Sequence, residues 1–148
     1  MTMIRPPSLV PASYLLFIKD NNILLLRRLN TGWRDGDYSL VAGHVEEGET
    51  VRSCAVREAK EEADLVVRPE ELDLVHVMHR KDPPSKERID FFLKPRTWTG
   101  EPKIMEPDKC DRLEWFSLQE LPDNLIPFVK QAIELSEKGV LYSEYGYD

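Results

Sequence analysis

The stretch that decides the fold is GHVEEGETVRSCAVREAKEEADL, residues 43–65. Its segment Thr50–Ala63 contains neither glycine nor proline and starts with an acceptable N-cap residue, which predicts a helix of about four turns. On that helix the carboxylates of Glu58, Glu61 and Glu62 fall within an arc of about 100° and are expected to converge. Acidic faces of this kind are typical both of metal sites and of plain solvated surfaces, because like charges on an exposed helix cost only roughly a few tenths of a kcal/mol. The helix geometry alone leaves both interpretations open.

The wider spacing favours a metal site. From Gly43 the chain runs five residues to Glu49, seven more to Arg57-Glu58, and then to Glu61-Glu62. This pattern resembles the Nudix box, which reads Gly, five residues, Glu, seven residues, Arg-Glu-U-x-Glu-Glu-x-Gly-U, where U is a bulky aliphatic residue. With ordinary residue usage of roughly 5 to 10% each, six matches at fixed offsets arise by chance about once in ten thousand chains or less often.

Three departures from the box leave its carboxylates in place. Asp64 stands where the box has glycine, and Asp is among the few other residues that tolerate a left-handed backbone, so we expect a small stability cost. Ala59 stands where the box has a larger aliphatic residue. Val41-Ala42-Gly43 replaces the Pro-Gly-Gly often seen at the start of the box, which leaves the conformation of that loop open.

The resemblance implies an α/β fold, a Nudix-type α/β/α sandwich in which a mixed β-sheet is flanked by helices. It also implies a magnesium-dependent enzyme, with manganese as a substitute, and oxygen ligands suit such hard ions. The implied ligands are Glu58, Glu61, Glu62, the backbone carbonyl near Ala42 and, from a later loop, Glu106 or Asp108. A plain solvated loop accounts for the last two about equally well. Arg57 and Glu49 join the catalytic set as the pair that fixes the loop against the helix.

Arginines and aromatic residues gather around the first predicted hairpin and the loop after it. Arg27, Trp33 and Arg34 are expected to bind the substrate, because they offer cations and aromatic faces to a nucleotide. His44, within the first residues of the box, is expected to approach a phosphate. Surface arginines and a packed tryptophan explain the first three nearly as well.

The remaining sequence predicts further strands and one more helix. Two apolar runs, Tyr14–Ile18 and Ile23–Leu26, flank a strong turn sequence and predict a β-hairpin. Strands are also predicted over 39–42, 65–67, 72–79, 88–93 and 112–116, and a last helix over 125–136. This order also indicates a mixed sheet with helices on both sides.

Length and composition restrict the class of protein. The 148 residues fit a single domain, 1–148, with an irregular leader over residues 1–12. The net charge of −7 argues against a nucleic-acid partner. Two distant cysteines, Cys54 and Cys110, predict free thiols and a cytoplasmic location. Because no apolar run approaches the roughly 18 residues of a membrane span, no membrane partner is expected.

The leading functional hypothesis is hydrolysis of a nucleoside triphosphate, which includes oxidised or deoxy forms, to the monophosphate and pyrophosphate. It rests on the box and on the small size of the chain. In both features the chain resembles the compact MutT-like branch of the family. Hydrolysis of ADP-ribose or a dinucleoside polyphosphate is the second hypothesis, and a nucleotide sensor without catalysis is the third. The sequence leaves open the base, the attacked phosphorus, the number of metal ions and the oligomeric state, for which a homodimer is one option.

Overall fold

Two sheets and two helices make up the fold. A computed structural model describes residues 8–83 and 86–147. In chain order the elements are β1 (Val10–Leu15), β2 (Ile18–Lys19), β3 (Asn22–Arg28), β4 (Tyr38–Ser39), β5 (Val41–His44), α1 (Val51–Ala63), a 3₁₀ turn (Pro69–Glu71), β6 (Leu72–Arg80), β7 (Arg88–Pro95), β8 (Cys110–Ser117), α2 (Pro127–Glu137) and β9 (Tyr142–Tyr145). In this part of the chain neither helix is long and apolar enough to cross a bilayer.

The larger sheet is mixed, as expected. Its five strands lie in the order β5-β1-β7-β6-β9. Strand β1 runs antiparallel to β5 and parallel to β7, whereas β6 runs antiparallel to β7 and parallel to β9. A second sheet joins β2, β3, β4 and β8 around β3. The α/β fold with a mixed sheet flanked by helices is therefore confirmed, and the second sheet adds to it.

The two helices cover opposite faces of the larger sheet, because successive side chains of a strand point to opposite sides. On β1, Ala12 and Tyr14 pack in the hydrophobic cluster that contains Phe128 and Val129 of α2. Leu15 packs in the other cluster, together with the buried alanines of α1. Strand β3 also contributes to both clusters. The prediction of one domain over 1–148 is consistent with these shared cores and stays a prediction.

Two predicted strands are wrong. The run Tyr14–Ile18 does not form one hairpin strand, because it divides between β1 of the larger sheet and β2 of the smaller one. The hairpin that does form, β2–β3, turns through Asp20 and Asn21, whose positive φ angles of 52° and 63° fit a two-residue turn. The segment 65–67 forms no strand and makes only one bridge, between Val66 and Thr99. The side chains of Leu65 and Val67 are nevertheless buried.

The prediction that the irregular leader extends to residue 12 is wrong. Strand β1 begins at Val10, and residues 1–7 lie outside the described part. Pro11 is tolerated in this strand because it stands where the β1–β5 ladder ends. Its carbonyl accepts the N–H of Val45 at 3.0 Å, and only the return bond, which needs an N–H that proline lacks, is missing.

Candidate active site

Helix α1 is held at both ends by its own sequence. Thr50 caps the N-terminus and accepts the backbone N–H of Ser53, whose hydroxyl in turn accepts the N–H of Thr50. Asp64 ends the helix with φ 56° and ψ 35°, the left-handed conformation that its place in the box requires. Lys60 Nζ donates to Asp64 Oδ1 at 2.6 Å. The substitution of glycine by Asp thus preserves the end of the helix.

The same helix lies very close to strand β5. Ala55, Ala59 and Ala63 are completely buried between the helix and the larger sheet. A Cβ atom added to Gly43 on β5 would collide with the carboxylate of Glu58. Small residues on both elements therefore allow the approach, and Ala59, a departure from the box, belongs to this contact.

Arg57 is the centre of the ion pairs in this region. Its guanidinium makes two contacts with Glu49, Nε to Oε2 at 2.7 Å and Nη2 to Oε1 at 2.9 Å, which anchor the loop before α1 to the helix. Nη1 also donates to Glu58 Oε1 at 2.6 Å and to Glu61 Oε2 at 3.2 Å. This pairing lowers the pKa of the Glu49 carboxyl to about 2. Arg57 and Glu49 thus make the contact that the resemblance implies.

Glu62 has a different environment. Its Oε1 accepts the backbone N–H of Ala42 at 2.8 Å. Burial raises the pKa of Glu62 to about 8, against the hydrogen bond from Ala42, and the negative charges of Glu58 and Glu106 act in the same direction as burial. Ala42 lies opposite Tyr14 of β1 in a non-hydrogen-bonded pair of the antiparallel ladder. In such a pair the N–H and C=O groups of each residue point away from the partner strand. The carbonyl of Ala42 therefore points to the same side as its N–H, toward α1.

Two neighbouring cavities lie beside this helix. The first, of about 440 Å³, is lined by Glu58, Glu61, Glu62 and Glu106, and we call it the acidic cavity. The second, of about 420 Å³, is lined by Arg28, Arg80, Arg88, Trp33 and His44, and we call it the arginine cavity. Arg28, Ala42, Gly43 and Glu62 line both. The two cavities therefore adjoin along one edge of the fold.

The donors of the acidic cavity suit a hard divalent cation, although they do not meet at one point. Within residues 8–83 and 86–147, no three His, Cys, Asp or Glu side chains are placed to hold a single metal ion. The expected convergence of Glu58, Glu61 and Glu62 is therefore not reached, because Arg57 draws Glu58 and Glu61 to itself. Carboxylate and carbonyl oxygens are nevertheless the donors that magnesium prefers. Arg57 contacts Glu58 through Oε1 and Glu61 through Oε2, so that the other oxygen of each carboxylate lies outside these contacts.

The other predicted site residues divide into two groups. Trp33 and His44 line the arginine cavity. Arg27 pairs with Asp111 at 2.5 Å, Arg34 lies 3.8 Å from Asp37, and neither lines the two cavities. Of the two acidic residues proposed in the later loop, Glu106 lines the acidic cavity and Asp108 does not.

The sequence interpretation missed the arginines that line the cavity, Arg28, Arg80 and Arg88. A signal existed for Arg28, because alternate residues of a strand face opposite sides and only one of Arg27 and Arg28 can face the cavity. For Arg80 and Arg88 no local signal was available. They are neighbours only because their strands pair, with Arg80 opposite Arg88.

Comparison with known proteins finds similar domains. Residues 9–137 match the NUDIX domain. The NAD-capped RNA hydrolases NudC of Pseudomonas entomophila and Pseudomonas putida are 30% and 31% identical over 117 residues, which cover 78% of this chain and 39% of each relative. The chain thus spans about two fifths of the length of these curated relatives.

Solved structures share the fold. The MutT NUDIX hydrolase from Burkholderia pseudomallei superposes with a TM-score of 0.79 at 26% identity, over 86% of this chain and 97% of that one. A bifunctional NMN adenylyltransferase/ADP ribose pyrophosphatase from Francisella tularensis, complexed with AMP and a manganese ion, gives a TM-score of 0.69 at 19% identity, over 92% of this chain and 43% of that one, and shows likeness of fold alone. Because the domain match extends over residues 9–137 and includes the whole box, the chain belongs to the Nudix family.

Proposed function

We propose that this chain hydrolyses a nucleoside triphosphate, which includes oxidised or deoxy forms, to the monophosphate and pyrophosphate with the help of magnesium. The observation that carries the proposal is the acidic cavity, where four glutamates and the Ala42 backbone surround one space beside Gly43. The neighbouring arginine cavity gives a substrate that spans both sites a place for its remaining groups. The solved MutT NUDIX hydrolase at 26% identity supports the same class of reaction.

The chain's own residues prepare the site for a divalent cation. Glu58, Glu61, Glu62, Glu106 and the Ala42 carbonyl would hold it. Arg57 keeps the loop with Glu49 against α1, so that Gly43 stays close to the carboxylate of Glu58. When bound, magnesium neutralises phosphate oxygens and lowers the pKa of a coordinated water. Manganese has similar ligand preferences and is the expected substitute.

Glu62 is the residue whose loss should be most informative. Its carboxylate is fixed by Ala42 and lies among other negative charges, so neutralising it removes a ligand without removing volume. We expect Glu62→Gln to lower turnover by orders of magnitude while the circular dichroism spectrum and melting temperature stay close to wild type. Glu134→Gln is the matched control, because Glu134 is exposed on α2, away from both cavities. A near wild-type rate for Glu62→Gln refutes the metal role.

A substrate panel tests the reaction itself. The purified chain is incubated with nucleoside triphosphates, diphosphates, ADP-ribose, NAD and dinucleoside polyphosphates, with magnesium or with EDTA, and the products are separated. We expect monophosphate and pyrophosphate from a triphosphate, and only with metal. Orthophosphate as the product, or no turnover of any triphosphate, contradicts the proposal.

A second candidate is hydrolysis of a diphosphate that joins two nucleosides or a nucleoside and a sugar, such as a dinucleoside polyphosphate, NAD or ADP-ribose. The similarity to relatives named NAD-capped RNA hydrolases favours it over a non-catalytic sensor, as do the complete box carboxylates. The same panel distinguishes the three hypotheses, because a sensor would bind without turnover.

Compartment and assembly complete the proposal. We keep the cytoplasm as the proposed location, supported by Cys54 and Cys110 being free thiols, and fractionation of cells that express the chain tests it. Light scattering on the purified chain decides whether the proposed homodimer forms.

A further inference from the structure

Glu62 lines the arginine cavity, yet two of the arginines in this cavity form no ion pair in the described part of the chain. Of its three arginines, Arg80 is already matched. Its Nε donates to Asp90 Oδ2 at 2.7 Å and its Nη1 lies 3.4 Å from Asp82 Oδ2. Its guanidinium carbon also lies 3.7 Å from the centre of the Phe128 ring. Arg80 therefore lines the cavity, and the carboxylates of Asp82 and Asp90 neutralise its charge.

Arg28 is held in place by neutral groups only. Its Nε donates to the carbonyl of Trp33 at 2.8 Å, and its Nη2 donates to Thr31 Oγ1 at 2.9 Å. Its guanidinium carbon lies 4.9 Å from the centre of the Trp33 ring. Among the described residues it forms no ion pair with a carboxylate. The side chain is thus oriented at the junction of the two cavities, and Asp35 and Glu62 act on its charge only from beyond ion-pair distance.

Arg88, on β7 of the larger sheet, also forms no ion pair in the described part of the chain. Its Nη1 makes a close contact with His44 Nε2, and its Nε is buried without a hydrogen-bond partner in the described structure. Burial lowers the pKa of His44, and the charges of Arg88 and Arg80 lower it further.

A guanidinium that lies at a cavity wall without an ion-pair partner favours an anionic ligand, because a partly buried charge without a partner is costly. Two guanidinium groups that face one cavity suit a phosphate, whose oxygens accept paired N–H bonds from arginine. The diphosphate to be cleaved belongs at the acidic cavity with the metal. A second anionic group is therefore needed to match the arginines.

We propose that Arg28 and Arg88 bind a phosphate group of the substrate that is distinct from the diphosphate bond being cleaved. This inference rests on the proposed function, since it requires the scissile bond to lie in the acidic cavity. The phosphate has two sources in the candidate substrates: the terminal phosphate of a nucleoside triphosphate, or a phosphate on a ribose of a dinucleotide.

Paired substrates test the proposal and distinguish the sources. The first pair compares nucleoside triphosphates with the diphosphates of the same bases, and the second compares NADP with NAD. The readout is the ratio of kcat/KM within each pair, which cancels any general loss of activity. We expect the wild type to prefer the phosphate-bearing member of one pair, and Arg28→Gln and Arg88→Gln each to lower that ratio by about tenfold or more.

Two exposed arginines outside both cavities are the matched controls. Arg96, just after β7, has a side chain that is 58% exposed, and Arg112, on β8, has one that is 54% exposed. Arg96→Gln and Arg112→Gln remove the same charge and should leave the ratio unchanged. An equal fall of the ratio in these controls means that the effect is one of overall charge and overturns the proposal.

A binding measurement separates this proposal from the proposed function. In EDTA, the melting temperature is followed with inorganic pyrophosphate and with adenosine 2′,5′-bisphosphate, and adenosine, which carries no phosphate, serves as the reference. We expect one of the first two probes to stabilise the wild type more than the reference does, with the difference lost in Arg28→Gln and Arg88→Gln and partly restored in Arg88→Lys.

The outcomes are distinct. If no substrate is turned over, the proposed function fails, and the binding measurement still decides the phosphate site. If the wild type shows no preference within either pair and neither probe exceeds the reference, the phosphate site is overturned even when turnover is rapid. A preference that survives in both arginine variants also overturns it.

Discussion

Gly43→Ala offers the sharpest test of how the site is assembled. The backbone at Gly43 has no positive φ, so alanine is sterically acceptable for the chain itself. The new Cβ would lie 2.6 Å from Glu58 Cγ and closer still to the atoms of its carboxylate. Every atom in this collision belongs to the outer part of a flexible side chain, so Glu58 can swing out of the way and the backbone need not move.

Different magnitudes are expected for stability and for activity. Overpacking typically costs about 1 to 3 kcal/mol, and replacing glycine by alanine returns about 0.4 to 1 kcal/mol through the unfolded chain. Because the clash is relieved at a free end, we expect a net loss of about 1 kcal/mol, which lowers Tm by roughly 4 °C. Displacing the Glu58 carboxylate from the acidic cavity should cost about 10- to 100-fold in kcat/KM or in magnesium affinity.

A double-mutant cycle shows whether the effect passes through Glu58. Steady-state rates at several magnesium concentrations are compared for Gly43→Ala, Glu58→Ala and the double variant. Since Glu58→Ala removes the atoms that collide, adding Gly43→Ala to it should change the rate less than about threefold. If the two losses multiply, Gly43 acts on something other than Glu58, and the reasoning from the close approach of α1 and β5 is refuted.

Three further predictions follow from the same structure. Magnesium added after EDTA treatment should raise Tm in scanning fluorimetry by relieving repulsion between carboxylates; an equal rise in Glu62→Gln and in Glu134→Gln would count against this. Asp64→Gly should stay within about 0.5 kcal/mol of wild type in urea unfolding, whereas Asp64→Val should lose about 1 to 2 kcal/mol at the left-handed position, and similar stabilities would contradict the assigned backbone. Burial raises the pKa of Cys54 and of Cys110, so Ellman's reagent at pH 8 should label both only after urea is added, and fast labelling of the native chain would show them to be accessible.

Much of α1 could be predicted because its determinants are local. Thr50 caps the helix and Asp64 ends it, as the box spacing implies, and Ala55, Ala59 and Ala63 lie on the face that contacts the sheet. These features depend on neighbours within a few positions along the chain. A sequence with the correct period therefore indicates both the helix and the side that it buries.

The other features of the fold and the site could not be predicted, because they depend on contacts between residues far apart in the sequence. The apolar run Tyr14–Ile18 carries no sign that Tyr14 joins one sheet and Ile18 another, since a continuously apolar segment fits either. Arg27 and Arg28 are equivalent by composition, and only the placement of β3 next to β8 directs Arg27 to Asp111. A helical wheel places Glu58 and Glu61 on one face, yet it does not show that Arg57 would draw both carboxylates to itself.

The arrangement of charge gives the two cavities different roles. In a chain with a net charge of −7, an anionic substrate is repelled unless local cations attract it. The acidic cavity is lined by four glutamates and by Lys109, and Arg28 lies at its junction with the arginine cavity. Arg88 lines only the arginine cavity. A substrate with phosphate at one end and a scissile diphosphate at the other would bind across Ala42 and Gly43 in a single direction, with the phosphate at the arginines and the diphosphate at the cation that the glutamates would hold.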